Sequence, residues 1–230
     1  MPQDSSISKT QVLLGGLGMG ESPRWHDGRL WFSNWGTNEI VAVDLEGNSD
    51  VMGPGGGGSG WATNWLPDGR TLVTGNELVR VEPDGSRVRH AHLAHISPHG
   101  WSEMTVDGRG DIYVNTINFD FADFNDILTS GDAPGKIALV SAEGDAREVA
   151  EGLAFPNGMV VTPDNATLIV AESFARRLTA FHRGRRQPDR PTPVGRRHGR
   201  RDLHGRRRRR VVQRRRTGRR RCMPSRPRGW

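Results

Sequence analysis

The chain lacks several features on which common protein classes depend. It has a single cysteine, Cys222, in 230 residues, which excludes an internal disulfide framework and a cysteine-based structural zinc site. No apolar run approaches the roughly 18 residues that a membrane-spanning helix needs. No basic-then-apolar leader occupies Met1–Leu14, so the expectation is a cytoplasmic protein that engages no membrane. A serine-nucleophile elbow is excluded because Gly-x-Ser-x-Gly does not occur. Gly53–Gly60 (GPGGGGSG) lacks the Gly-Lys-Ser/Thr ending of a phosphate cradle and reads as a flexible loop.

The formal charge of +7 averages two unlike pieces. Residues 1–182 hold 12 basic and 24 acidic residues, a net of −12, and carry enough Trp, Val, Ile and Leu to fill one core. Residues 183–230 hold 21 arginines, no lysine, and only Asp189 and Asp202 as acids, a net of +19. With so few aliphatic residues that tail cannot offset its chain entropy, and it is expected to be disordered. A tail under selection would bind nucleic acid non-specifically, by neutralising phosphates. The absence of lysine favours another origin, a reading-frame shift near residue 182 in a GC-rich gene. Arginine CGN codons read one base over become GNC, which encodes Val, Ala, Asp or Gly.

What residues 1–182 do contain is a repeat. Glu21–Asn48, Ala62–Ser86, Ser102–Asp145 and Pro156–His182 each run through a short strand, an Asp-Gly or Asp-Asn turn, an apolar strand, a polar break and a second apolar strand. Asp27-Gly28, Asp68-Gly69, Asp84-Gly85 and Asp107-Gly108 suit tight turns because Gly and Asp tolerate positive φ. The turns at Asp27, Asp68, Asp107 and Asp164 recur at a period of about 40 residues, lengthened in the third unit by the insert Asn118–Gly135. That period, with several antiparallel strands per unit, predicts an all-β fold, a β-propeller of about four blades over 1–182. The Trp-Asp and Gly-His dipeptides of WD40 blades are missing.

In a propeller the residues that open each innermost strand converge on one end of the central channel. Counting back from each turn places Glu21, Thr63, Ser102, Glu103 and Asn157 there. Carboxylate, amide and hydroxyl oxygens are hard ligands, suited to Ca²⁺, Mg²⁺ or Mn²⁺ and able to take Zn²⁺. The competing reading is that Glu21 and Asn157 cap turns at a solvated mouth.

Gly20-Glu-Ser-Pro-Arg-Trp25, Asp27-Gly-Arg-Leu-Trp-Phe-Ser33, Phe155-Pro-Asn-Gly-Met-Val-Val-Thr-Pro-Asp164, Leu168-Ile-Val-Ala-Glu-Ser173 and Arg177-Leu-Thr-Ala-Phe181 resemble the SMP-30/gluconolactonase/LRE family. The resemblance covers about residues 12–182. It implies a six-bladed propeller with one divalent metal on its axis, calcium first and Zn²⁺, Mn²⁺ or Mg²⁺ as alternatives. It also implies hydrolysis of sugar or other small lactones, so the implied partner is a small-molecule lactone. By position, Glu21 matches the family's first-blade metal carboxylate and Asn157 its Pro-Asn-Gly metal amide. Ser102 and Glu103 fall where the family has an Asn-Asp pair that helps hold metal water and substrate. The family's third ligand and general base, an Asp opening a later blade, would lie beyond residue 182, and no such motif exists in this chain, so catalysis is expected to be impaired and no catalytic residue is assigned. In a closed ring Gln11–Leu14 would help close the last blade, but its partner is missing here.

Two further clusters stand out. His90 and His92 would share a strand face and could ligate zinc, but they fall between blades and read as solvated strand-edge or loop histidines. The insert carries Phe119, Phe121 and Phe124 among Asp120, Asp123 and Asp126, and is either a surface excursion packed by its own aromatics or a lid over the channel mouth. The competing functions are a non-catalytic ligand- or protein-binding propeller resembling strictosidine synthase, and nucleic-acid binding through the arginine tail.

Overall fold

A computed structural model describes residues 10–58, 60–183 and, as backbone, 192–193. The expected disordered tail and its nucleic-acid contacts lie outside the described residues, apart from Arg183 and that short backbone segment. The described chain forms four four-stranded antiparallel meanders in a propeller-like arrangement. Blade 1 holds β1 (Gly20–His26), β2 (Arg29–Asn34), β3 (Glu39–Val43) and β4 (Ser49–Pro54). Blade 2 holds β5 (Thr63–Trp65), β6 (Thr71–Val73), β7 (Leu78–Val81) and β8 (Arg87–Ala91). Blade 3 holds β9 (Met104–Val106), β10 (Ile112–Thr116), β11 (Gly135–Val140) and β12 (Ala146–Leu153). Blade 4 holds β13 (Pro156–Val161), β14 (Thr167–Glu172), β15 (Arg177–His182) and β16 (Thr192–Pro193). Among the described residues, no helix is long and apolar enough to cross a membrane.

The predicted turns form, with one change of residue. Asp27 (φ 48°) and Gly28 (φ 75°) both adopt the left-handed conformation, as a two-residue hairpin turn demands. In blade 3 the left-handed position is Gly110 (φ 88°) rather than Gly108. Asp107 acts there through its side chain, accepting the N–H of Arg109 at 2.8 Å and of Asp111 at 3.1 Å, an Asx arrangement that needs no positive φ at the next residue.

Burial explains the middle strands. All five residues of β10 are buried because both blade faces are covered. Ile112 and Val114 join Leu72, Leu78, Trp101 and Met104 between blades 2 and 3. The alternate residue, Tyr113, joins Ile137, Leu153, Met159 and Val170 between blades 3 and 4, as the two-residue side-chain period requires. A thinner core of Ile40, Trp61 and Val73 joins blades 1 and 2. Leu13 and Leu14, for which no closing partner was expected, pack on Phe32, Val41 and Val43 of blade 1.

Two expectations about loops change once neighbours are in place. Gly55–Gly56 is pinned against blade 2: a Cβ on Gly56 would stand 1.6 Å from the Thr74 carbonyl oxygen, and one on Gly55 would lie 2.3 Å from the Trp61 ring. His90 is not solvated. It is buried between β8 and blade 3, with Nδ1 3.3 Å from Arg80 Nη1 and Nε2 3.3 Å from the Ser141 carbonyl. Burial pushes its pKa down, with the Ser141 carbonyl opposing. His92 is exposed, so the pair does not share a face.

Blade 4 is locked by ion pairs. Glu172, 1 % exposed, accepts from Arg177 Nε at 2.7 Å, from the Ala154 N–H at 2.9 Å and from the Thr179 hydroxyl. Arg183 reaches back to Asp107 and Asp111 of blade 3. Burial pushes the Glu172 carboxyl up, but Arg177, Thr179 and the Ala154 N–H outweigh it and hold the carboxyl below its ordinary value of 4.5. The stability from this group is therefore complete above the unfolded value and is lost as pH falls through the lower folded one. Glu172→Gln should cost about 2 kcal/mol at pH 7, since hydrogen bonds to a charged group are lost. It should also flatten the acid limb of the stability profile, both read from urea midpoints between pH 3 and 7.

Candidate functional site

The innermost strands β1 and β13 share an irregularity where the candidate ligands sit. The register of β1 shifts between Glu21 and Arg24, and that of β13 shifts between Pro156 and Met159. Such bulges turn a side chain out of the pleat, and they recur beside active sites. Ser22 between them has φ 52°. Glu21, Ser102 and Asn157, from three blades, line one cavity of about 390 Å³.

The rest of the expected set separates. Glu103 does not line the cavity as the expected partner of Ser102. The residue is 5 % exposed, and its carboxylate accepts from Arg24 Nη2 at 3.0 Å and from the Ser22 hydroxyl. Arg24 also donates to the Met104 carbonyl at 3.0 Å. Held by Arg24 and Ser22 of β1, Glu103 ties that strand to the start of β9 and is not on the cavity lining. Thr63 is also withdrawn, 1 % exposed within its strand.

Asn115, absent from the sequence-level site, organises these positions. Fully buried on β10, it accepts the Ser102 N–H at its carbonyl (2.9 Å) and the Glu103 N–H at Oδ1 (3.1 Å). Its own N–H donates to the Glu103 carbonyl at 2.9 Å, and Nδ2 donates to the Asn157 carbonyl at 2.7 Å. The blade-3 residue facing the cavity is thus tied directly to the backbone of the blade-4 one. The signal for it was an amide within the otherwise apolar run Ile112-Tyr-Val-Asn, on a strand expected to be buried.

The cavity has two characters. Glu21, Ser102 and Asn157 supply oxygen atoms, and Asn157 Nδ2 lies 3.3 Å from the Ser173 hydroxyl, which places the amide oxygen on the other side of that group. This all-oxygen set fits a hard divalent cation in donor type. Among the described residues, no group of three or more His, Cys, Asp or Glu stands together. The other wall is aromatic, formed by Phe119, Phe121 and Phe155, with Trp35 and Trp101 also on the lining. Trp35 is fixed by donation from Nε1 to the Trp61 carbonyl at 2.8 Å. The insert supplies Phe119 and Phe121 through a 3-10 turn, Phe121–Asp123, which runs into helix α1 (Phe124–Ser130) and ends at the left-handed Gly131 (φ 77°). It is therefore part of the cavity wall rather than a surface excursion. Phe155 holds φ 59°, a conformation that costs a bulky residue about 1–3 kcal/mol.

Asn115→Ala should destabilise the protein by about 1–3 kcal/mol, because the buried Glu103 N–H and the Asn157 carbonyl lose their hydrogen-bond partner. The urea midpoint measures this, and Asn115→Gln, whose longer side chain misplaces the same groups, should not restore it.

Residues 19–197 match the family described as SMP-30/Gluconolactonase/LRE-like region. No curated protein sequence matches the chain. Among solved structures, regucalcin from Agrobacterium tumefaciens, a calcium-binding protein, is similar at 20 % identity and a TM-score of 0.59, over 74 % of this chain and 56 % of that one. A gluconolactonase from Xanthomonas campestris is similar at 18 % identity and a TM-score of 0.58, over 74 % of this chain and 60 % of that one. Virginiamycin B lyase from Staphylococcus aureus is similar at 16 % identity and a TM-score of 0.51, over 76 % and 54 %. The chain thus spans between 54 % and 60 % of the length of these three structures, and at such identities the likeness is one of fold. By the match over residues 19–197, the chain belongs to the SMP-30/gluconolactonase/LRE-like family.

Proposed function

We propose that the cavity is the site of a divalent-metal-dependent lactone hydrolase. The observation that carries this reading is the arrival of Glu21, Ser102 and Asn157 from three blades on one cavity. Glu21 and Asn157 would hold the cation, calcium first, and Ser102 would contact the substrate. A bound divalent cation supplies Lewis-acid polarisation of a carbonyl in such a setting. The protein's own part is to keep three oxygen groups at fixed positions beside an aromatic wall. Asn115 sets the Ser102 and Asn157 backbones, and the Glu103–Arg24–Ser22 contacts steady the strand that carries Glu21. The family's proton acceptor, an Asp opening a later blade, has no matching motif in this chain, so turnover is expected to be impaired. The gluconolactonase and the calcium-binding regucalcin among the similar structures support the same reading.

Calorimetric titration with Ca²⁺, Mn²⁺ and Zn²⁺ tests the site without requiring turnover. Binding should weaken by roughly ten-fold or more in Glu21→Gln and in Asn157→Ala, with unchanged urea midpoints. Hydrolysis of a δ-lactone, followed by acid release, should be weak in this chain, which lacks the later-blade Asp, and what remains should be abolished by chelator and by Glu21→Gln. Affinities unaltered by both substitutions, or hydrolysis indifferent to chelator, would show that the site is elsewhere.

A further inference from the structure

The geometry points to a lactone bearing an apolar substituent, an alkyl chain or an aryl group, as the ligand of this cavity rather than a polyhydroxylated sugar lactone, with Phe121 and Phe155 setting that preference. The inference rests on the lactone reading above and narrows it. Five phenylalanines from three separate segments form one cluster at the cavity. Phe119, Phe121 and Phe124 come from the insert, Phe155 from the connection into β13, and Phe174 from the turn between β14 and β15. Their rings contact in sequence: Phe121 to Phe124 at 5.4 Å, Phe124 to Phe155 at 5.8 Å, Phe155 to Phe119 at 6.2 Å and Phe155 to Phe174 at 4.7 Å. The near-perpendicular Phe124–Phe155 pair, at 81°, and the Phe124–Phe174 pair, at 86°, are the edge-to-face arrangements that aromatic quadrupoles favour.

Three observations make this a binding wall and not only a loop anchor. Phe119, Phe121 and Phe155 line the same cavity as Glu21, Ser102 and Asn157. Phe121 remains 49 % exposed, an apolar ring left at the cavity while Phe119 of the same insert is 7 % exposed. Phe155 keeps its left-handed backbone where glycine would be free of strain, so the ring is retained against a backbone cost. A hexonolactone carries hydroxyls on nearly every ring carbon, and those set against phenylalanine faces would lose water without gaining a partner. The remaining polar lining is Asn76 and His99, from other segments than these rings, and Asp120, one oxygen of which accepts the Ala122 N–H at 3.3 Å. An alkyl or aryl group instead gains from leaving water against the rings, while the lactone oxygens meet the polar groups.

Equilibrium binding to the full chain, followed by tryptophan fluorescence with Trp35 and Trp101 on the cavity, tests this with three probes. They are δ-undecalactone, glucono-δ-lactone, and 2-hexyltetrahydropyran, which keeps a six-membered ring and an alkyl chain but has no carbonyl. δ-Undecalactone should bind about ten-fold or more tighter than glucono-δ-lactone. Phe121→Ser should weaken the alkyl lactone by roughly ten-fold and leave glucono-δ-lactone unchanged, and Phe121→Leu should recover most of the loss. Equal or tighter binding of glucono-δ-lactone, or equal weakening of both lactones in Phe121→Ser, overturns the inference and leaves the lactone reading standing. Binding of the ether as tight as that of δ-undecalactone overturns the lactone reading and leaves the apolar wall standing.

Discussion

Asn115 is the constraint on which the candidate site depends. A strand buried on both faces normally tolerates only apolar side chains, because an unpaired amide there forfeits its hydration. Asn115 is fully buried, and its amide is satisfied at both ends, by the Glu103 N–H and the Asn157 carbonyl. That pairing exists only when the starts of β9 and β13 lie at one separation. The same interaction that makes the buried amide tolerable therefore fixes where Ser102 and Asn157 stand. Satisfied polar networks specify geometry in this way because their partly satisfied alternatives are costly.

Around that centre the blades are joined by two kinds of force. Apolar packing between blades 2 and 3 and between blades 3 and 4 supplies most of the burial. It is not directional and would tolerate sliding. Direction comes from charged and polar crossings: Arg24 to Glu103, Arg183 to Asp107 and Asp111, and the His90 imidazole to the Ser141 carbonyl. The register shifts in β1 and β13 fall beside Glu21 and Asn157, both of which line the cavity. At the mouth the insert closes one wall with aromatic rings, giving a cavity that is polar where three strands begin and apolar where the insert folds over.

Much of the blade structure was legible because it is local. A Gly or Asn that tolerates positive φ, flanked by β-branched and aromatic residues, sets a hairpin whatever its surroundings, and the spacing of Asp27, Asp68, Asp107 and Asp164 carried the blade count. The outer strands β4, β8 and β12 were harder to read. β4 (Ser49–Pro54) is exposed at nearly every position and has no alternation to detect, since its partner on one edge is enough to hold it. Glu21, Ser102 and Asn157 could be aligned by counting back from the turns because strand length sets their distance from the hairpin. Glu103 fits that count equally well, yet it faces elsewhere. A one-residue difference along a strand reverses the face, and Arg24, 79 residues earlier, supplied a partner that no local pattern announces.

The histidines and the glycine loop teach the same lesson about neighbours. His90 looks like a strand-edge residue until Ser141 from the next blade covers it, and Gly56 looks flexible until the Thr74 carbonyl occupies the space a Cβ would need. The sequence by itself determined the all-β class, the hairpin positions, the blade period and the family, since these rest on backbone preferences and short motifs within a few residues. Only the tertiary structure decided that Glu103 is withdrawn, that Asn115 governs the site, and that the insert walls the cavity with phenylalanine. Each of these depends on contacts between blades, where the energy of a side chain is set by partners tens of residues away.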